Sequence, residues 1–250
     1  MAVRPRSRRG RGQHFLRSSK LAAELVRAAR IERGDLVLDI GAGTGVFTAA
    51  LRNVGARVVA VELDAALAAG LRLRFPGVDV REVDAQRMLL PREPFKVVAN
   101  LPFGGATSIL RRLLEPAALL EAADVIVEWR LAAKRAAVWP STQLSTYWGA
   151  WFELTADRRL PRSVFAPRPS VDAGVLRAVR RPEPLVRPTQ SPRYGAFLAR
   201  AYRDGPRAVV PWSALKRREA ELGFDRHAAA RDLDARQWAA LFMDVVRTNT

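Results

Sequence analysis

The sequence predicts an α/β fold, a parallel sheet covered by helices on both faces, followed by a smaller helical unit. Three features predict it. Across residues 36–140, short apolar runs alternate with helix-forming stretches, the order that puts crossover helices over parallel strands. After Trp151 the pattern changes to two strand-like runs with a proline-rich connection between them. Residues 181–192 then carry Pro182, Pro184, Pro188 and Pro192, a linker composition, and the rest reads as helix and turn.

Each element has a local reason. Ser18 or Ser19 caps a helix over 20–30, with Leu21, Leu25 and Ala28 on one face. Residues 36–40 form a buried strand, and a helix follows over 44–52. A second strand at 58–61 ends at Glu62. The helix over 64–74 is broken by Phe75-Pro76-Gly77. Residues 78–83 form an amphipathic strand, 95–99 a fourth and 125–127 a fifth, with helices at 108–114 and 131–138. Residues 152–160 and 174–179 add a hairpin to the sheet. Beyond the linker, helices are expected at 194–202, 212–222, 227–230 and 235–247, and Gly223 is a helix stop.

Composition bounds the class. The 250 residues suffice for one large domain plus a small one, and 49% hydrophobic residues can build a core. The absence of cysteine removes disulfides, thiolate metal sites and cysteine nucleophiles together. His14 and His227 are too few and too isolated for a His-based metal site, so no metal is expected. The basic start has no apolar stretch behind it, and no window is long enough to span a bilayer. The chain reads as a soluble cytoplasmic protein.

The net charge of +17 is unevenly spread. Residues 1–20 carry seven basic side chains and no acid. Residues 179–250 carry 14 basic and 8 acidic ones. Only 4 of the 42 basic residues are lysine, a bias that GC-rich coding DNA accounts for, but such a bias does not create an excess over acid. Two basic ends suit a nucleic-acid partner gripped by an N-terminal arm and a C-terminal unit. Trp139, Trp148 and Trp151 are read as core and hinge packing rather than RNA stackers.

Candidate site residues cluster at strand ends. Gly41, Gly43 and Gly45 form a G-x-G-x-G turn between strand and helix, where close backbone approach to a ligand excludes Cβ atoms. The spacing differs from the G-x-G-x-x-G dinucleotide pattern. Glu62 ends the next strand, where a carboxylate can accept both ribose hydroxyls. Asp84 ends the third, where one can accept from an adenine amine. Leu63 and Ala85 stand beside them as further cofactor contacts. Together these positions predict an adenosine-containing cofactor. Asn100-Leu101-Pro102-Phe103 follows the fourth strand. The N6 amine of adenine is a poor nucleophile because its lone pair is delocalised. The Asn100 oxygen and a backbone carbonyl at Leu101 can accept both amine hydrogens, Phe103 can hold the base by its π-face, and Pro102 stiffens the turn. Asn100 also counts among the cofactor contacts. Phe165, in a rigid loop made by Pro167 and Pro169, is positioned to clamp a flipped base against Phe103. Gln13, His14 and Leu16, in the run Gln13-His14-Phe15-Leu16, are expected to fold over the cofactor.

These motifs carry a resemblance. Gln13 to Leu16, the run from Val37 to Gly45, Asn100-Leu101-Pro102-Phe103-Gly104-Gly105 and Phe165-x-Pro167-x-Pro169-x-Val171-Asp172 resemble the ribosomal RNA adenine N6-methyltransferases. Within that family they resemble the erythromycin-resistance (Erm) branch. The resemblance implies a class I (Rossmann-like) S-adenosylmethionine-dependent methyltransferase sheet of seven strands with a small C-terminal helical domain. The implied division is a basic flexible tail at 1–12, an S-adenosylmethionine-binding catalytic domain at 13–180 and a helical RNA-binding domain at 185–250. The implied reaction is methylation of N6 of a single adenine in the peptidyl-transferase loop of 23S rRNA. That modification confers macrolide, lincosamide and streptogramin B resistance. A monomer is expected.

The sister branch, which dimethylates two adjacent adenines of 16S rRNA during ribosome maturation, shares the Asn-Leu-Pro-aromatic run. Gly104-Gly105 and the arginine-rich tail favour the resistance branch. A non-catalytic RNA-binding relative is disfavoured by the intact Asn100, Pro102 and Phe103. A nicotinamide oxidoreductase is disfavoured by the glycine spacing and the charge, and DNA adenine methylation is the weakest alternative.

Overall fold

A computed structural model describes residues 14–248; the expected basic tail and Gln13 lie outside the described residues. The described chain starts with a two-residue strand, β1 (Phe15–Leu16), and helix α1 (Ser19–Ala28). Ser18 caps α1, its Oγ accepting the Leu21 N–H at 3.1 Å. Next come β2 (Leu36–Ile40), α2 (Val46–Asn53), β3 (Arg57–Glu62), α3 (Ala65–Arg74), β4 (Asp79–Glu82), β5 (Phe95–Asn100), α4 (Ala106–Leu113), β6 (Leu120–Glu128) and α5 (Trp129–Ala136). Helix α6 (Gln143–Gly149) precedes β7 (Phe152–Leu160), β8 (Phe165–Ala166) and β9 (Ala173–Arg180). Helices α7 (Ser191–Asp204), α8 (Trp212–Leu222) and α9 (Ala235–Thr248) complete the chain.

The main sheet has seven strands in the order β4-β3-β2-β5-β6-β9-β7. Strands β2 to β6 run parallel to one another, and β9 pairs antiparallel with both β6 and β7. The inner strands are nearly continuous apolar runs because both faces are covered. Successive side chains serve opposite cores. Leu38, Val97 and Val125 pack with α4 on one face, while Val37, Val98 and Ile126 pack with Leu21, Phe47 and Leu51 on the other. The first core continues into the helical C-terminal part through Trp148, Trp151, Tyr194, Leu198, Trp238 and Phe242. Gly223, at φ +64°, ends α8 in the left-handed region where only glycine is unstrained.

Several elements differ from the sequence reading. Strand β6 runs from Leu120, well before the expected 125, because pairing to β5 and β9 overrides the weak strand preference of its alanines. Helix α6 was hidden behind Pro140, although Thr142 and Ser145 form a reciprocal cap there. Residues 227–230 are a turn leading into a short 3-10 segment at Ala230–Asp232, not a helix. Strands β1 and β8 pair with each other in a separate two-stranded sheet. Trp148 and Trp151 are buried, as core residues should be, but Trp139 is 60% exposed. No helix among the described residues is long and apolar enough to cross a membrane.

Candidate active site

Strand β2 is flanked by β3 on one side and β5 on the other, so strand order reverses there. Ligands of open α/β sheets sit at the carboxyl ends of such strands. A cleft of about 400 Å³ opens at that point. Its walls come from the turns after β2, β3, β4 and β5, with His14 and Phe15 across from them.

Gly41 is the glycine of the turn that lines the cleft. Its N–H donates to the Val61 carbonyl at 2.8 Å, and a Cβ there would stand 3.4 Å from the Asn100 carbonyl oxygen. Gly43 serves a different contact. A Cβ on it would lie 2.7 Å from the Phe15 ring, so glycine lets the N-terminal segment settle onto the turn. Gly45 gives way to the Phe75 ring behind the turn. Neither Gly43 nor Gly45 lines the cleft.

Glu62 is buried at the end of β3. Its Oε2 accepts the Gly43 N–H at 2.8 Å, and its Oε1 accepts the Leu63 and Asp64 N–H groups at 2.8 and 2.9 Å. The carboxylate is thereby fixed in place, and Oε2 keeps a lone pair for a hydroxyl in the cleft. Leu63 beside it is 67% exposed, an apolar plate on the rim. Asp84 and Ala85 line the next wall, and Asp84 Oδ1 accepts the Gln86 N–H at 2.8 Å.

Strand β5 ends at Asn100 for a covalent reason. The Leu101 N–H still pairs with the Ile126 carbonyl at 3.0 Å, but Pro102 has no N–H to continue the ladder. The chain turns at Pro102, whose carbonyl accepts the Gly105 N–H at 3.0 Å. The Asn100 Nδ2 donates to the His14 carbonyl at 2.6 Å. Its Oδ1 is buried and has no hydrogen-bond partner among the described residues. Phe103 is half-buried, with its ring centroid 5.4 Å from that of His14.

Phe165 lies elsewhere. It is 2% exposed, sits in the α1–α2 core and pairs with Leu16 across the β1–β8 ladder. The base-clamping ring expected from the sequence is corrected to a packing residue, since no ring face is open to a base in this conformation. Leu16 is likewise core and does not line the cleft. The cleft brings together His14, Gly41, Glu62, Leu63, Asp84, Ala85, Asn100, Leu101, Pro102 and Phe103.

Sequence reasoning left out Phe15, which touches the cleft from within a motif already singled out. It also left out Asp39 as an individual residue. Burial pushes the Asp39 carboxyl up to about 7, helped by the nearby Glu62 charge and opposed by the Thr48 hydroxyl, which donates to Oδ2 at 2.6 Å. Its Oδ1 has no partner among the described residues. A charged residue inside an apolar strand run was the available signal.

S-adenosylmethionine fits these residues. Glu62 offers a fixed carboxylate for ribose hydroxyls, Gly41 a wall without a side chain, and residues 41–45 include no cationic side chain, as suits a ligand without phosphate groups. The cleft at the switch point of a seven-stranded sheet of this order defines a class I S-adenosylmethionine-dependent methyltransferase. The ribosomal RNA adenine dimethylase family matches residues 5–202, and the chain belongs to that family. It is an S-adenosylmethionine-dependent rRNA (adenine-N6)-methyltransferase. The mycinamicin-resistance protein MyrB of Micromonospora griseorubida is 33% identical, over 92% of this chain and 76% of its own. The ribosomal RNA small subunit methyltransferase A of a Synechococcus species is 34% identical, over 95% and 92%. The crystal structure of the 23S rRNA methyltransferase ErmE superposes with a TM-score of 0.82 at 27% identity, covering 93% of this chain and 99% of that one.

Proposed function

We propose that the enzyme methylates N6 of a single adenine in the peptidyl-transferase loop of 23S rRNA and so confers macrolide, lincosamide and streptogramin B resistance. The observation that carries the chemistry is the buried, unpartnered Asn100 Oδ1 at the end of β5. A buried acceptor without a donor is costly, and an exocyclic amine supplies that donor. Asn100 Oδ1 and the Leu101 carbonyl accept the two amine hydrogens and direct the nitrogen lone pair into the cleft. Phe103 stacks on the extruded base, and Pro102 holds the turn. The bound cofactor supplies an electrophilic methyl group on a sulfonium. Positioning and electrostatics supply the rest, and the amine proton leaves to water once the nitrogen is charged. His14, Gly41, Glu62, Leu63, Asp84 and Ala85 hold the cofactor.

For the target, the support is the likeness to ErmE over nearly all of that chain, the likeness to MyrB, and Gly104-Gly105 after Phe103. The helical part at 185–250, with its arginine excess, acts as the RNA-binding domain of a monomer working where ribosomes are assembled, in the cytoplasm. A second reading is dimethylation of 16S rRNA, favoured by the small-subunit relative matched over 95% of the chain. Expression in a susceptible bacterium tests the choice. Macrolide resistance that rises with the wild-type gene and not with Asn100→Ala supports the first reading. Unchanged susceptibility together with new dimethyladenosines in 16S rRNA supports the second.

A further inference from the structure

Asn100 does not set its own orientation. A side-chain amide has an acceptor end and a donor end of nearly equal shape, and the hydrogen-bond partners decide which points where. Here the decisive partner is the His14 carbonyl, 2.6 Å from Nδ2 and 86 residues away in sequence. With the amide reversed, two oxygens would face each other at that distance. The His14 carbonyl therefore forces Nδ2 toward the N-terminal segment and leaves Oδ1 as the end without a partner among the described residues.

That carbonyl is itself held in place. The His14 Nδ1 pairs with the Pro167 carbonyl at 2.8 Å. The next two residues form the β1–β8 ladder, with Phe15 opposite Ala166 and Leu16 opposite Phe165. The Arg17 N–H donates to the Val164 carbonyl at 3.0 Å. Leu16 and Phe165 are 5% and 2% exposed, so the ladder is rooted in the core. On the other side, the Phe15 ring rests against Gly43.

We propose that His14 is a positioning residue for methyl transfer. The clasp between residues 14–17 and 164–167 aims Asn100 Oδ1 at the amine, beyond any contact His14 makes with the cofactor. This rests on the reading of Asn100 as the amine acceptor. It gives the Phe165 loop a role without a stacking ring, as the part that anchors the residue that aims Asn100.

The test combines kinetics with a spectroscopic readout. His14→Ala removes the tie to Pro167 and leaves the backbone carbonyl free to drift. His14→Asn restores a donor, since the Asn Nδ2 stands as many bonds from the backbone as the His Nδ1. His14→Ala should lower kcat about 10- to 100-fold at saturating cofactor and RNA, a loss typical of misplaced reacting groups, with a smaller change in cofactor Kd. His14→Asn should recover most of kcat. The chain has three asparagines, Asn53, Asn100 and Asn249, so asparagine-selective 15N labelling gives a sparse side-chain amide spectrum. The Asn100 pair, assigned by its loss in Asn100→Ala, should move toward free-asparagine positions in His14→Ala and return in His14→Asn. Wild-type kcat in His14→Ala overturns the proposal. A lowered kcat with an unmoved Asn100 signal also overturns it, because His14 would then act on substrate or cofactor directly. If the wild-type enzyme transfers no methyl to rRNA, the catalytic reading of Asn100 fails, while the spectrum still decides whether His14 orients it.

Discussion

Gly43, on the turn after β2, and Glu62, the last residue of β3, are joined by a 2.8 Å hydrogen bond from the glycine N–H to Oε2. With Leu63 and Asp64 donating to Oε1, one buried carboxylate braces the turns after β2 and β3 at the cleft. Glu62→Ala should raise the S-adenosylmethionine Kd by roughly 10- to 100-fold, since a hydroxyl pair loses a charged acceptor worth about 1.5–3 kcal/mol. Because three N–H groups also lose their acceptor, the variant should melt earlier. Isothermal titration and a melting curve check both effects. An unchanged Kd would remove Glu62 from the cofactor site.

Asn100→Ala should abolish methyl transfer and leave cofactor affinity within a few-fold of wild type. In the proposed reaction the lost acceptor serves the amine, whereas Gly41, Glu62 and Asp84 remain in the cleft. Single-turnover methylation alongside cofactor titration separates the two effects. Wild-type turnover would take Asn100 out of the reaction.

Phe165→Ala should act on stability. A ring that is 2% exposed and packed in the α1–α2 core leaves a cavity when truncated, at a cost of about 3–5 kcal/mol. Urea unfolding measures it. A fully stable variant with slow turnover would restore the stacking role that the sequence suggested.

The Phe165 case shows where sequence reasoning stops. The Gly-rich turn, the acidic strand ends and the Asn-Leu-Pro-Phe turn were legible because each residue type answers a local demand: no Cβ, a carboxylate at a strand end, an acceptor before a proline. Parallel strands were legible from apolar runs covered on both faces. What escaped were relationships across the chain. Nothing local says that Phe15 and Leu16 pair with Phe165 and Ala166, so a proline-rich loop with an aromatic reads as exposed when pairing has buried it. The same holds for β6, whose alanine-rich first half becomes a strand only because β5 and β9 flank it.

Asp39 gives the stability a pH dependence. Burial pushes its carboxyl up from the ordinary 3.8 to about 7 in the folded protein. Between those values the folded state binds the proton more tightly than the unfolded state, so this residue's contribution falls as pH rises from about 4 to about 7 and is flat above. Asp39→Asn, of nearly equal shape, lacks that titration. Without cofactor, the urea midpoint of Asp39→Asn relative to wild type should climb across that window. A constant difference from pH 4.5 to 7.5 would show that Asp39 stays ionised.

Methyl transfer to N6 of one 23S adenine is open to direct measurement. Purified enzyme with labelled S-adenosylmethionine should be offered protein-free 23S rRNA and assembled 30S subunits in parallel, and the modified positions mapped by digestion and mass spectrometry. The expected product is N6-methyladenine at a single peptidyl-transferase-loop position of 23S rRNA, none on 30S subunits, and none anywhere with Asn100→Ala. Methyl groups on two adjacent adenines of 16S rRNA, with 23S rRNA untouched, would contradict it.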